Sequence, residues 1–425
     1  MRFFSASGIA LSLGLLCAAG GTANAASYGA PSTVEGPQVY EAGYSSALAN
    51  SPYSTTISTH EALAASNESA LAGGHGGCGN DGGCGCGSGG DNCGCGCDDC
   101  CGPSWFVSAA GLILTRNNPN RFWTTFETNN NPNQLMNTKD ADTHWDGGAE
   151  IRFGRFGCAD CDGRSGWEVV YYGTKLSGFA SLRDPGNDLS TPINLDTQTG
   201  PFTIGARPAS DYFDSAREHR IWRDNEIHNV EINFLREELV TNNLTQVTWI
   251  AGFRLFRFDE SLVFGSVAGD NAVNPGAEFG NNGGEDEAYL DIRCENNLIG
   301  FQIGLRGDYF ISDNFGLYAL PKLGFYANEI NSRARLYSGD GVEAFDIRSN
   351  ENDFSVLASI DLGVQYQISS NWSAYAAYRA VAVSGIALSD DQFPAFIAAA
   401  DELEDIDTNG DLLLHGAVLG LEYRF

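Results

Sequence analysis

Three groups of residues in this sequence have the types and spacing to do chemistry. The first is the run Gly77 to Cys101, GCGNDGGCGCGSGGDNCGCGCDDCC. It holds Cys78, Cys84, Cys86, Cys93, Cys95, Cys97, Cys100 and Cys101, eight of the 12 cysteines, with only Gly, Asp, Asn and Ser between them. The C-x-C spacings suit soft metals held as thiolates, whereas structural zinc usually takes C-x₂₋₄-C pairs. In a chain exported from the cytoplasm, disulfides compete with thiolates and usually prevail. The run therefore reads as a disulfide-linked tether or cross-link, with metal binding and an unstructured Gly-rich spacer as the alternatives. Asp81, Asp91, Asp98 and Asp99 keep it soluble. Cys158-Ala-Asp-Cys161 has no βαβ context for a redox role and reads as a local disulfide. Cys294 is then left over, free or paired between chains.

The second group is Asp405, Asp407, Asn409 and Asp411, which match the first half of an EF-hand loop. The twelfth position would be Gly416, which supplies no bidentate carboxylate. An acidic solvated loop is the expectation, with a calcium site as the alternative cofactor. The third group is a set of charges that stand opposite apolar rows: Arg254, Arg306, Asp308, Asp361, Arg379 and Glu422, with Glu150, Arg152, Glu168, Lys322 and Arg424. Such charges either select solutes in a pore or neutralise one another in a filled interior. No catalytic set is expected, because G-x-S-x-G, H-E-x-x-H and P-loop motifs are all missing and the six His are scattered. A formal charge of −30 argues against nucleic acid as a partner.

These residues need elements to position them. Arg2, the apolar stretch Phe3 to Ala19 and the Ala23-Asn24-Ala25 site form a secretory signal, 1–25. Residues 26–72 read as a disordered spacer, 73–104 as the Gly/Cys-rich segment and 105–425 as one β domain. There the dominant pattern has period two. Phe354, Val356, Ala358, Ile360, Leu362, Val364 and Tyr366 make an unbroken apolar row opposed by Ser355, Ser359, Asp361, Gly363 and Gln365. Ile299 to Phe310 and His415 to Phe425 alternate in the same way. Val247 to Arg257 alternates only in part, since Ile250 and Phe256 fall on the polar face. Arg257 shares the apolar row and is expected at the strand's end, reaching the membrane interface.

Rows of this length approach the roughly 9–11 residues that a tilted strand needs to cross a bilayer. Strands are expected near 105–116, 147–157, 164–177, 225–238, 245–258, 297–310, 314–328, 353–367, 371–384 and 413–425. The joints between them alternate short and long without exception, as in an outer-membrane barrel with periplasmic turns and external loops. The fold class is thus an all-β, transmembrane, antiparallel up-and-down β-barrel of about 10 strands. Twelve is the alternative, with Ala288 to Arg293 and Val342 to Arg348 as short strands of their own. Trp105, Phe106, Trp167, Tyr171, Trp249, Tyr309, Tyr318, Tyr326, Tyr366, Trp372, Tyr378 and Tyr423 are the candidates for aromatic girdles.

A Gly/Cys-rich segment before CGPSWFVSAAGLILTRNNP, the strand WIAGFRLFRFDESL, and NNLIGFQIGLRGDYF followed by a closing aromatic strand resemble a porin-like outer-membrane β-barrel family of planctomycete bacteria. The resemblance covers the last three-quarters of the chain. It implies an outer-membrane location, lipid as surroundings, and passive passage of small solutes. Leu421, Tyr423 and the terminal Phe425 are similar to the signal that hands barrels to the assembly machinery. The rival is a non-conducting structural or surface barrel, anchored to the cell wall or to neighbouring proteins through a periplasmic Cys-rich extension.

Overall fold

The computed structural model describes residues 104–117, 120–160, 163–197, 200–238, 244–269, 278–280, 284–393 and 403–425. The signal, the spacer, the cysteines from Cys78 to Cys101, and Cys161 lie outside these residues, as does the Cys158 side chain. Among the described residues, no helix is long and apolar enough to cross a membrane.

Ten antiparallel strands close into a barrel. They are β1 (Ser104–Arg116), β2 (Asp146–Asp160), β3 (Gly163–Arg183), β4 (Glu218–Glu238), β5 (Thr245–Val267), β6 (Glu287–Phe310), β7 (Phe315–Ser338), β8 (Glu343–Gln367), β9 (Trp372–Ile386) and β10 (Gly410–Arg424). Each pairs with its neighbour in sequence, and β1 closes the ring against β10 from Phe106↔Arg424 to Arg116↔Leu414. Closure leaves no strand edge, which is what a β-structure in hydrocarbon requires. Trp105 and Phe425 exchange backbone hydrogen bonds at 3.0 Å, so the start of β1 and the end of β10 meet at the end that carries the short turns.

The alternation has a direct structural meaning. Toward that end, Trp249, Phe253, Leu255, Ile299, Ile303, Phe325, Leu362 and Leu419 point outward and are exposed. Phe234 and Phe253 are 66% and 64% exposed, a cost that only a lipid surround removes. Their neighbours in sequence, Arg254, Gln302, Asp361 and Val418, are buried in the interior. Farther along the same strands the pattern inverts. Arg257, Asp259, Glu295, Arg293 and Arg333 form outward ion pairs, while Phe256, Phe258, Leu262 and Phe264 are buried inside.

The inversion corrects several expectations. Strand ends near the short turns fall within a few residues of those expected, but the opposite ends run on. The expected 245–258 extends to Val267, 297–310 begins at Glu287, 314–328 reaches Ser338 and 353–367 begins at Glu343. The stretches offered as an eleventh and twelfth strand are these extensions. The expected long joint 329–352 is a hairpin turn over residues 339–342, so the short–long alternation has one exception. Arg257 is not at a strand end; ten residues of β5 follow it. It marks the edge of the lipid belt instead, held by Asp259 at 2.8 Å and Glu295 at 3.3 Å. Phe106, Tyr318 and Tyr326 are not girdle residues, because they turn into the interior.

Loops fill the far end. Met136, Ile193, Leu195, Phe213 and Phe393 pack against Ile221, Leu262, Phe264, Leu290 and Leu336 of the wall as one buried apolar cluster. The strands thus exceed membrane height because their inner faces line a second, water-excluding core. If the outward face near the short turns meets lipid, Phe253→Arg will cost about 2–4 kcal/mol and Ser261→Arg, beyond the charged ring, under about 1 kcal/mol. Urea unfolding in lipid vesicles measures both, and equal costs would place the belt wrongly.

Candidate functional site

The lumen holds the groups from which any transport chemistry must come, and they lie in layers. Nearest the short turns, Arg152, Glu168, Glu237, Arg306, Asp308 and Glu422 help line a polar vestibule of ≈ 130 Å³. Arg306 donates Nε and Nη2 to Asp308 at 3.0 to 3.1 Å and Nη2 to Gln365 at 2.9 Å. Glu422 accepts from Arg424 at 2.8 Å. This space has room for several waters.

Above it lies a salt-bridged layer. Arg379, on β9, donates Nε and Nη2 to the two oxygens of Asp361 on β8, at 2.8 and 2.7 Å. Its Nη1 reaches Glu150 of β2, across β10 and β1, at 2.5 Å. Arg152 sits 3.3 Å from Glu150 and 3.6 Å from Glu168. On the opposite wall, Glu231 accepts from Lys322 at 2.6 Å and from Gln302 at 2.9 Å. Arg254 donates to Asn229 at 2.5 Å and to the Tyr172 hydroxyl at 3.0 Å, and lies 3.8 Å from Glu231. Four cations (Arg152, Arg254, Lys322, Arg379) therefore face four anions (Glu150, Glu168, Glu231, Asp361), and the layer is neutral. The spaces left within it measure ≈ 10 and ≈ 20 Å³, room for about one water each.

The next layer is apolar: Leu112, Leu114, Leu176, Ile227, Phe256, Phe258, Leu357, Val381 and Val383 belong to one buried cluster. Beyond it a segment crosses the lumen. β9 bulges at Gly385, whose φ of 77° turns the chain inward and whose Cβ, if present, would meet the Phe354 carbonyl oxygen at 2.4 Å. Asn296 then pairs with both backbone groups of Ala387, donating at 2.8 Å and accepting at 2.9 Å. Ser389 N donates to Glu260 at 2.9 Å, and Asp390 accepts from Arg223 at 2.8 Å. Glu260 also binds Arg116 at 2.6 Å and contacts Arg223, so residues of β1, β4 and β5 clamp the crossing segment. All four charged groups of this clamp are buried.

The lumen residues singled out in the sequence thus separate into two places. Arg306, Asp308 and Glu422 line the vestibule, and Arg254, Asp361 and Arg379 belong to the salt-bridged layer. Glu231, the anion shared by Lys322 and Arg254, was not singled out, although its inward position on a strand marks it. Asp390 left no such signal, because it lies in a loop. Leu421 and Phe425 face outward, and Tyr423 stacks on Phe425 at 5.8 Å and contacts Trp372 at 4.9 Å.

Asp405, Asp407, Asn409 and Asp411 are not gathered as a ligand set. Asp407 Oδ1 is used locally by Asn409 N and Nδ2, at 3.0 and 2.8 Å, and Asp411 faces outward at the start of β10. Among the described residues, no three or more His, Cys, Asp or Glu converge as metal ligands. Cys294 is a free thiol buried inside the wall.

Residues 218–425 match the family described as "Putative beta barrel porin-7 (BBP7)". With the outward apolar belt, the match supports an outer-membrane β-barrel of porin type. No curated protein matches the chain. Among solved structures, the chain is similar to a major outer membrane protein from Thermus thermophilus, at 11% identity and a TM-score of 0.29, over 76% of this chain and 99% of that one. It is similar to the outer membrane protease OmpT from Escherichia coli at 12% and 0.30, over 76% and 96%. It is also similar to the toluene transporter TodX from Pseudomonas putida at 10% and 0.32, over 76% and 89%.

Arg379 is the hinge of the salt-bridged layer, so Arg379→Gln will strand Asp361 without its ion-pair partner, leave Glu150 to Arg152 alone, and cost about 3–5 kcal/mol. Arg424→Gln removes a half-exposed pair and will cost under about 1 kcal/mol. Urea midpoints of the refolded variants decide between this order and equal effects.

Proposed function

We propose that this protein is an outer-membrane barrel that keeps its lumen closed and serves as a surface barrel, tethered below the membrane through its Cys-rich extension. One observation carries the reading: among the described residues, three successive layers, ionic, apolar and clamped segment, occupy the interior, and two spaces in the ionic layer each have room for about one water. A ten-strand ring is close to the size that side chains fill on their own. The tether reading draws on the start of β1 at Ser104, which lies beside the short turns.

A second reading is passive passage of small solutes. It is favoured by the porin family that matches residues 218–425 and by the polar vestibule lined by Arg306, Asp308 and Glu422. Passage would require the segment after Gly385 to leave the lumen and the apolar layer to part.

Planar-bilayer recording separates the two. The mature chain, shown to be folded by heat-dependent gel mobility, is expected to be silent. Stepwise conductance whose ion selectivity shifts in Arg254→Ala or Arg306→Ala would overturn closure and favour passage. For the tether, non-reducing gels of native outer membranes are expected to show species of higher mass that collapse with reductant. A monomer band unchanged by reductant, with free thiols or bound metal in the extension, would remove that part of the reading.

A further inference from the structure

A groove of ≈ 450 Å³ opens on the outer face of the barrel, where the lipid belt meets the ring of charges. Its apolar part is a row across four strands: Val230 of β4, Leu255 of β5, Ile299 of β6 and Ala327 of β7, each the ladder partner of the next. The row is low because of what flanks it. Tyr171 partners Val230 on one side and Phe354 partners Ala327 on the other, and these side chains are 43% and 60% exposed. Tyr171 stacks on His228 at 6.2 Å and Phe354 stacks on Phe325 at 6.1 Å, so each flank is a pair of rings. Between the flanks the methyl group of Ala327 leaves a depression that a large side chain would fill.

Two residues farther toward the long loops the outer face turns polar. His228, Arg257, Asn297, Glu329 and Asn352 stand in register across β4 to β8, and all five line the groove. The anions around this row are matched with one exception. His228 Nε2 lies 2.8 Å from Glu226, and Arg257 holds Asp259 at 2.8 Å and Glu295 at 3.3 Å. Asn297 donates Nδ2 to Glu295 at 2.8 Å, which leaves its Oδ1 as an acceptor. Glu329 has no ion-pair partner among the described residues, although Arg333, four residues along the same strand, is paired with Asp346. It stands between Asn297 and Asn352 in the ladder. With His228 neutral, Arg257 is the one cation against Glu226, Asp259, Glu295 and Glu329.

We propose that this groove is a binding site for a phospholipid with a phosphoethanolamine head. Lipid is the occupant because the apolar row continues the belt: Phe253 and Phe301, two residues below Leu255 and Ile299, are exposed on the same face. The charge of the rim selects the head. Its surplus of carboxylates repels a head of net negative charge. An ammonium group brings three donors and no acceptor, and the row offers it the Glu329 carboxylate and the side-chain carbonyls of Asn297 and Asn352. A trimethylammonium head has no N–H to give them, and the row holds no cage of aromatic faces of the kind that such a head needs. Arg257 stands two strand spacings from Glu329, about 10 Å, and its side chain is 48% exposed. A phosphate and an ammonium joined by two carbons bridge that gap, with the phosphate on Arg257 and the ammonium on Glu329. The ester groups and first methylenes then lie over Leu255, Ile299 and Ala327.

Annular lipid would cover the same groove whatever its head, so head-group preference separates a site from a coating. The test is native mass spectrometry of the mature protein released from detergent. Dioleoyl lipids with phosphoethanolamine, phosphocholine or phosphoglycerol heads are added in equal amounts, and lipid A is added separately, with and without magnesium. Wild-type protein is expected to retain the phosphoethanolamine lipid at least fivefold over the other two phospholipids and over lipid A. Glu329→Gln is expected to cut that preference to under twofold, while Glu343→Gln, beyond the belt, leaves it intact. Ala327→Phe fills the depression and is expected to lower retention of the phosphoethanolamine lipid at least threefold. Heat-dependent gel mobility shows that each variant is folded. Equal retention of the three phospholipids, a preference that survives Glu329→Gln, retention that Ala327→Phe does not change, or tighter retention of lipid A with or without magnesium would overturn the site. Conductance does not enter this readout, so its failure leaves the closed-lumen reading standing, and the reverse holds.

Discussion

Closure of the backbone ring is the constraint on which everything else in this protein depends. In hydrocarbon an unpaired N–H or C=O has no water to turn to, so a membrane strand must be paired on both sides. The ladder from Phe106↔Arg424 to Arg116↔Leu414 provides that pairing for the first and last strands. Once ten strands are closed, the interior is narrow and its dielectric is low. A charge placed there must meet an opposite charge or it becomes too costly to keep. This is why Arg379 reaches three strands away to Glu150 and why Glu231 is shared among Lys322, Arg254 and Gln302. The neutrality of the layer follows from closure, not from any solute.

The same strands then change solvent. Within the belt the outer face meets lipid and the inner face meets polar groups. Past Arg257 the outer face meets water and the inner face meets the apolar side chains of loops. A strand of 23 residues such as Thr245–Val267 is therefore two elements end to end, joined with no break in the ladder. The loop core is held by burial of apolar surface, the lipid-facing half by the cost of exposing backbone, and the buried clamp of Arg116, Arg223, Glu260 and Asp390 sits near the boundary between them.

This inversion sets what could be read from the sequence. Belt halves were legible because one row is apolar and the other is not, as in Phe354 to Tyr366. The upper halves were not, because at the switch both rows are apolar for a few residues: Leu255 and Phe256 are neighbours on opposite faces, each apolar for a different reason. The same overlap breaks the alternation of Val247 to Arg257 at Phe256, whereas Ile250 breaks it by joining Phe106, Leu235, Tyr318 and Leu320 in a small apolar cluster inside the barrel. Inward charges were legible one at a time, by parity. Their partners were not, because the pairs that matter cross the lumen between strands far apart in the chain, as Glu150 and Arg379 do at a separation of 229 residues. Asp390 and the residues paired with Asn296 belong to a loop without period, and only the closed barrel brings them to the wall.

A lumen assembled this way resists opening for a physical reason. Moving the segment after Gly385 outward would take Ala387 from Asn296, Ser389 from Glu260 and Asp390 from Arg223, and each buried group that loses a bond this way costs about 1–3 kcal/mol. It would also expose the face of Phe393 that packs on Phe122 and Phe264. These costs fall together, since one segment makes all the contacts. Partial displacement therefore gains little. Conduction, if it occurs, must come as a discrete event that replaces the whole set of contacts at once, and the charges of the layer beneath would still have to part before a hydrated solute could follow.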